Sequence, residues 1–314
     1  MKVAVTGSSG LIGTALVASL RADGHEVIRF VRRPAQAAGE VRWDPRAADA
    51  GLIALAAPGP SVPGGTRELD GLGACVHLAG AGVADRRWTA RYKAEIGASR
   101  ILGTRALAGA LAKLSPPPAT LVAASAIGWY GDTGDREVDE SAPAGQGFLA
   151  RLVRDWEAAA APATDAGIRV VHIRSGLVLT PRGGMLARLL PLARLGLCPR
   201  FASGRQAMSW ISLSDEVGAI RFVLDRKDIS GPVNLTVPAP ATNAEFTDAL
   251  TAAVGRHDLP WLRVPAPALR LALGEAAVEL LTSARVLPKR LQQADYEFRY
   301  PTLPEALSAE LASR

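Results

Sequence analysis

Three glycines, Gly7, Gly10 and Gly13, follow directly on the apolar run Val3–Val5, and Leu11 to Ala22 carry apolar side chains at helical spacing. A chain that leaves a buried strand through so tight a turn and at once enters a helix is set up as a β–α unit. Glycines at such a turn let the backbone bend sharply, approach a pyrophosphate and pack the helix onto the strand. The helix N-terminus adds unpaired N–H groups and the positive end of a dipole. The spacing is Gly-x-x-Gly-x-x-Gly rather than the more general Gly-x-Gly-x-x-Gly, and a second apolar strand, HEVIRFVRR, follows at the distance a βαβ unit requires. An ordinary glycine-rich turn reads the same way locally; the second strand favours a dinucleotide site formed by Gly7, Ser9, Gly10, Leu11, Ile12 and Gly13.

Strands and helices go on alternating. GACVHLAG (73–80) is an apolar run whose end, Leu78, Ala79 and Gly80, falls on the cofactor side. RYKAEIGASRILGTRALAGALAKL is a long helix, ATLVAASAIGWYG a strand with its exit loop, FLARLVRDWEAAAAPATDAG helical, and IRVVHIRSGLVL a further strand. This is the pattern of an α/β fold with a Rossmann-type doubly wound parallel sheet, whose ligands lie beyond the carboxyl ends of the strands. After Leu179 the alternation loosens into helices separated by Gly/Pro-broken connectors, with Ser214 a possible N-cap of the helix SLSDEVGAIRFVLDR. The chain divides on this reading into a dinucleotide-binding domain over 1–175, to which 205–237 return, and a smaller, mostly helical C-terminal substrate lobe made of 176–204 and 238–314. A length of 314 residues with 48% apolar content suffices for both.

Two cysteines, Cys75 and Cys198, both in apolar surroundings, argue for a reducing compartment and against a disulfide framework. The histidines stand apart at 25, 77, 172 and 257, so no metal site is expected. With strand one starting almost at once and no apolar stretch of spanning length, a cytoplasmic protein without a membrane partner is expected. The net charge of +6 comes from arginines spread along the chain, without the basic block or interleaved aromatics of a nucleic-acid stripe. The expected partner is a small-molecule substrate, and nothing in the sequence fixes an oligomeric state.

The segments TGSSGLIG and HLAG resemble the extended short-chain dehydrogenase/reductase superfamily. RRW, ASR, SAIGWYGD, RDWE, SGLVL and GRQAMSWISLSDE look like its atypical, epimerase-like branch within the NAD-dependent epimerase/dehydratase superfamily. That likeness runs from Met1 to about Asp225, and LPKRL and FRYPTLPEAL resemble the small terminal domain of the branch. The resemblance implies a nicotinamide cofactor in the amino-terminal sheet and a substrate cleft closed by the C-terminal lobe.

Charge selects among nicotinamide cofactors. In NAD-binding versions the second strand usually ends in an acid that accepts hydrogen bonds from the ribose hydroxyls and would repel a 2′-phosphate. Here it ends in FVRRP, placing Arg32 and Arg33 where that phosphate would lie, so NADP(H) is favoured over a plain surface pair of arginines.

The superfamily works with a serine, a Tyr-x-x-x-Lys pair and often an asparagine, the tyrosine being the acid/base. Ser125 stands where the resemblance puts the serine, although a strand-end serine without chemistry reads the same. The pair is missing: GQGFLARLVRDWE (145–157) holds no tyrosine and no lysine, and Ser99 and Arg100 stand where the asparagine would. Tyr130, in the exit loop after Ser125, is then the replacement acid/base, or else a loop tyrosine packed beneath the lobe. Arg151 and Arg154 share a face of the following helix, where a guanidinium facing the ring would depress a tyrosine pKa without relaying protons. In GRQAMSWIS, Arg205, Gln206 and Trp210 combine a cation, an amide and an aromatic plate suited to a polar substrate; alternatively Trp210 is core and Arg205 pairs with an acid. The expected function is an NADP(H)-dependent oxidoreductase or epimerase-like enzyme on a small polar molecule. Two alternatives stand beside it: a cofactor-binding sensor or interaction protein, and a nucleotide-sugar epimerase, which would need the missing pair.

Overall fold

The computed structural model describes residues 1–43, 66–83 and 85–312. Seven strands build the central sheet: β1 (Lys2–Thr6), β2 (Glu26–Val31), β3 (Glu40–Arg42), β4 (Ala74–His77), β5 (Thr120–Ala126), β6 (Arg169–Ser175) and β7 (Gly231–Leu235). Their order across the sheet is β7-β6-β5-β4-β1-β2-β3, and every pairing is parallel. The order reverses between β1 and β4, the point at which a doubly wound sheet opens a crevice beyond its strand ends.

The two faces follow from the two-residue period of the strands. Val3 and Val5 of β1 point to one core, shared with Leu16 and Leu20 of α1 (Leu11–Ala22) and with Ile220 and Val223 of α4 (Leu213–Asp225). Ala4 between them points to the other, with Ile28, Phe30, Leu121 and with Leu107 and Leu111 of α2 (Ala90–Leu111). A third core, around Leu186, Phe201, Trp210, Phe246 and Leu307, belongs to the C-terminal half and lies against α4 and the strand ends.

Three local features differ from the sequence reading. The short strand β3 continues the sheet beyond β2 and had no visible signal of its own. Helix α4 is capped by Ser212, whose hydroxyl accepts the Asp215 N–H at 2.9 Å, and not by Ser214, which lies inside the first turn. The segment around Leu291 to Phe298, assigned from sequence to the small lobe, lays Leu291, Ala294, Tyr296 and Phe298 on the sheet core.

Candidate functional site

The crevice at the β1/β4 reversal is built by the glycine turn. Gly7 has φ +65°, and a Cβ there would sit 2.7 Å from the Leu78 carbonyl carbon, while a Cβ on Gly13 would run into the Gly7 carbonyl. Both glycines are therefore demanded by the packing of α1 onto the strand ends. Gly10 differs: its φ of −77° suits any residue, it is exposed, and the only atom near a Cβ there is the Gly7 carbonyl oxygen at 3.2 Å. It precedes α1 as an N-cap without a side-chain cap, leaving the first-turn N–H groups free of protein side chains. Ser9 is exposed beside it, and Leu11 and Ile12 are half-buried. The N–H groups of Leu78 and Ala79 donate to Thr6 Oγ1 at 3.1 and 3.3 Å, which hangs the loop after β4 from the end of β1. Ser99 and Arg100 of α2 hold that loop from the far side: Ser99 Oγ accepts the Ala81 N–H at 3.1 Å, and the Arg100 guanidinium donates to the Ala81 carbonyl at 2.9 Å beside Gly80.

At the end of β2 the two arginines have different surroundings. Arg32 is exposed and makes no hydrogen bond or ion pair among the described residues. Arg33 is gripped in a two-pronged pair by Glu40 of β3, at 2.8 and 2.6 Å, and so is not the free guanidinium expected from the sequence. Arg29 stands 3.6 Å from the same carboxylate and donates to Ser8 Oγ at 3.3 Å. The hydrogen bond from Arg33, together with the Gln36 N–H and Arg29, holds the Glu40 carboxyl down to about 2. Two guanidinium groups on one carboxylate, with Arg32 beside them in the chain, leave this end of the crevice with more positive than negative charge.

Beyond β5, β6 and β7 the geometry is of another kind. Ser125, Arg174 and Asn234 are paired in register across the three strands. Ser125 Oγ donates to Glu157 Oε1 at 2.6 Å, and Arg174 clamps both oxygens of Glu157 at 2.8 and 2.9 Å. The Arg174 guanidinium, 3.9 Å from the centre of the Trp129 ring, also donates to the Tyr130 hydroxyl at 3.0 Å, and that hydroxyl donates to Asn234 Oδ1 at 2.7 Å. Tyr130 is 4% exposed, and burial pushes its phenol up to about 12 despite Arg174. Both hydrogen-bonding directions of the Tyr130 hydroxyl are thus used inside the protein. Ser125 is likewise engaged by Glu157.

Helix α3 (Phe148–Ala158) turns an apolar face to the loop after β5: a Cβ on Gly128 would meet Leu149 Cβ at 3.3 Å and Val153 Cγ2 at 3.7 Å. These side chains, four apart, occupy the face on which the resemblance looked for a tyrosine and a lysine. Arg151 and Arg154 are exposed on the opposite side, Arg154 paired with Asp155 at 3.1 Å.

The three residues expected to contact a substrate have different surroundings. Residues 210–212 pair in parallel with 177–179, which turns Trp210 into the third core at 1% exposure, its indole N–H without a partner. Gln206 is buried and donates its amide to the carbonyls of Phe201 and Leu280 at 3.1 and 2.9 Å, a tie inside the lobe. Arg205 alone is exposed.

Two acids escaped the sequence reading. Glu216, fully buried, accepts from Ser175 Oγ at 2.5 Å, and burial raises its carboxyl to about 8. Glu279 is exposed by its area, yet the desolvation of its carboxyl by surrounding chain pushes it up to about 7, with Arg100 opposing. The segment carrying it docks on α2 through Lys93–Glu275 at 2.6 Å and through Ala276 packed near Trp88, Tyr92 and Ile96. Only its distant position in the sequence hid it. Among the described residues no three His, Cys, Asp or Glu side chains gather as a metal site, and no helix is long and apolar enough to cross a membrane.

Residues 3–235 match the model of the NAD dependent epimerase/dehydratase family, and residues 264–310 match a domain of unknown function, DUF1731. An epimerase family protein of Mycobacterium bovis is 48% identical over 306 residues, 97% of this chain and 96% of that protein. The human epimerase family protein SDR39U1 is 35% identical over 316 residues, 99% and 100% of the two chains. A crystal structure of the human protein (isoform 2) with NADPH superposes with a TM-score of 0.87 at 34% identity, covering 100% of both chains. A nucleoside-diphosphate sugar epimerase from Corynebacterium glutamicum gives 0.78 at 36% identity, covering 99% of this chain and 58% of that one. With an open glycine turn at the strand reversal, and with matches that run nearly end to end, this chain belongs to the NAD dependent epimerase/dehydratase family.

Proposed function

We propose that this chain binds NADP(H) in the β1/β4 crevice and uses it in an oxidoreductase or epimerase-like reaction on a small polar molecule. The observation that carries this is the contrast within the glycine turn: Gly7 and Gly13 serve packing, whereas Gly10 serves only to keep the approach to the uncapped α1 N-terminus open. The N–H groups of Leu11 to Gly13 would take the pyrophosphate. Arg32, with Arg29 and Arg33 beside it, would take the 2′-phosphate, in keeping with the NADPH found in the human relative's structure. When bound, the nicotinamide supplies or accepts a hydride. The chain's part is to orient the substrate and to exchange a proton. With α3 apolar at its inner face, the acid/base is drawn from the wall formed by α2 and the small lobe, where Glu279 titrates near neutrality within electrostatic reach of Arg100.

The test has two steps. NADPH should bind about tenfold or more tightly than NADH in a fluorescence titration, since contacts to the 2′-phosphate are charge-assisted. A panel of small carbonyl compounds, added to the NADPH complex, should then include one that oxidises it above background. Equal affinity for the two cofactors would remove the NADP(H) assignment. Tight NADPH binding with no turnover across the panel supports the second reading, a cofactor-binding sensor, which the spent hydroxyls of Ser125 and Tyr130 and the Leu149/Val153 face favour.

A further inference from the structure

Along α1 beyond the glycine turn lies an open cavity of 360 Å³ bordered by α1, α4, Arg182 and the chain around Tyr296 to Arg299. Ala15, Leu213 and Val217 are among its lining residues, and so are three arginines: Arg182, Arg221 and Arg299. Two of the three are without a carboxylate partner among the described residues. Arg182 and Arg299 form no ion pair among the described residues. Arg182 feels Glu310 only at longer range, and the Glu310 carboxylate is already engaged by the Ser214 N–H at 3.2 Å. Arg221 donates to Ser19 Oγ at 2.9 Å and pairs with Asp23, but its Nε–H is buried without an acceptor.

Two carboxylates border the cavity, Asp215 and Glu297. Asp215 takes the Ser212 hydroxyl at 2.8 Å and the N–H groups of Arg299 and Tyr300 at 2.6 and 3.1 Å, which uses its oxygens within the fold. Glu297 is exposed. Guanidinium forks lining one space suit a tetrahedral dianion, whose oxygens accept from several N–H groups at once, better than a single carboxylate. The volume exceeds that of a bare phosphate and falls in the range of small-molecule sites, with Ala15, Leu213 and Val217 available to the rest of the ligand.

We propose that this cavity binds a small phosphate monoester, the phosphoryl group held by Arg182, Arg221 and Arg299 and the organic body resting on Ala15, Leu213 and Val217. The site adjoins the crevice proposed for NADP(H), since Gly183, next to Arg182, packs on Leu11, but its ligands are not those of the glycine turn. Glycerol 3-phosphate is the probe, titrated calorimetrically into the parent protein, into an Arg182→Ala/Arg299→Ala double variant and into Gly10→Val. The parent should bind it with a Kd of about 1 mM or tighter. The double variant should bind about tenfold more weakly or worse, the scale of losing charge-assisted phosphate contacts. Gly10→Val should bind like the parent. Both arginines are exposed, so the double variant should melt with the parent. Absence of binding to the parent overturns the proposal, as does equal binding by the double variant. Loss of binding in Gly10→Val with the double variant unaffected would place the phosphoryl group at the glycine turn and overturns it equally.

Discussion

The two ends of the crevice handle their polar groups in opposite ways. Around β1, β2 and β4, donors are left unspent: the first turn of α1 has no side-chain cap, Gly10 leaves its approach open, and Arg32 has no partner among the described residues. Around β5, β6 and β7, Ser125, Glu157, Arg174, Tyr130 and Asn234 satisfy one another in a chain of hydrogen bonds shielded from solvent. A region that must accept a charged ligand keeps donors in reserve, while one that must hold three strand ends and a helix in fixed relation uses them up. The comparison teaches that a polar residue at a strand end of such a sheet is evidence of a ligand only when its own hydrogen bonds are unfilled.

The strongest way to break the comparison is to unmake the satisfied side. Glu157→Ala leaves the Arg174 guanidinium, 2% exposed, as a buried charge without its carboxylate. Unfolding in denaturant should show a loss of about 3–5 kcal/mol. NADPH affinity of the folded fraction should stay close to that of the parent. A midpoint unchanged from the parent would mean that the network does not hold the strand ends together.

Next in size is the open side. Gly10→Val adds a branched side chain over the α1 N-terminus in a backbone conformation that valine accepts, with only the Gly7 carbonyl to shift by a few tenths of an ångström. NADPH affinity should fall by about a hundredfold or more while the melting temperature stays near that of the parent. Gly13→Ala should do the reverse in kind, lowering stability because its Cβ meets the Gly7 carbonyl, a backbone group that cannot move aside. If Gly10→Val leaves the NADPH titration untouched, the cofactor does not pass over this turn.

The open side was legible in sequence because its determinants are local: strand, glycines and helix lie within the first 22 residues, and their spacing states the geometry. The doubly wound sheet was legible for the same reason, each strand announcing itself as an apolar run. What escaped depends on partners far along the chain. The pairing of 210–212 with 177–179 decides that Trp210 is core, and nothing near Trp210 says so. Glu40 reaches Arg33 only because β3 pairs beside β2, although the two residues lie close in sequence. Tyr130 looked available in its loop, and only the meeting of β6 and β7 at Arg174 and Asn234 closes it off. Leu149 and Val153, by contrast, were readable as an absence of tyrosine and lysine, and the structure shows what fills the space.

The difference between the neighbouring arginines sharpens the comparison within the open side itself. Arg32→Ala should weaken NADPH by about tenfold and leave NADH unchanged, since a guanidinium that is exposed and unpaired among the described residues can contact the 2′-phosphate. Arg33→Ala should cost less, because its guanidinium is held by Glu40 and its removal also frees that carboxylate to repel the phosphate only in part, with Arg29 still beside it. Paired titrations of both variants with both cofactors measure this. A larger effect at Arg33 than at Arg32 would mean that Glu40 releases Arg33 when the cofactor enters.

The smallest expected effect is at Tyr130. Tyr130→Phe keeps the ring between Arg174 and the lobe and removes one hydroxyl, so Asn234 Oδ1 loses a donor at 2.7 Å and Arg174 loses one of several acceptors. Arg174 retains both oxygens of Glu157 and the Trp129 ring, so the loss should be about 1 kcal/mol in denaturant unfolding, with NADPH affinity unchanged. On any carbonyl compound that the enzyme turns over, the variant should keep most of its rate, because a phenol pushed up to about 12 and sealed by two partners is poorly placed to exchange a proton near neutral pH. A fall in turnover of about a hundredfold at constant NADPH affinity would instead make Tyr130 the acid/base and would require the β5–β7 network to open during the reaction. That result would erase the distinction between the two ends of the crevice, since the satisfied side would then also hold its donors in reserve.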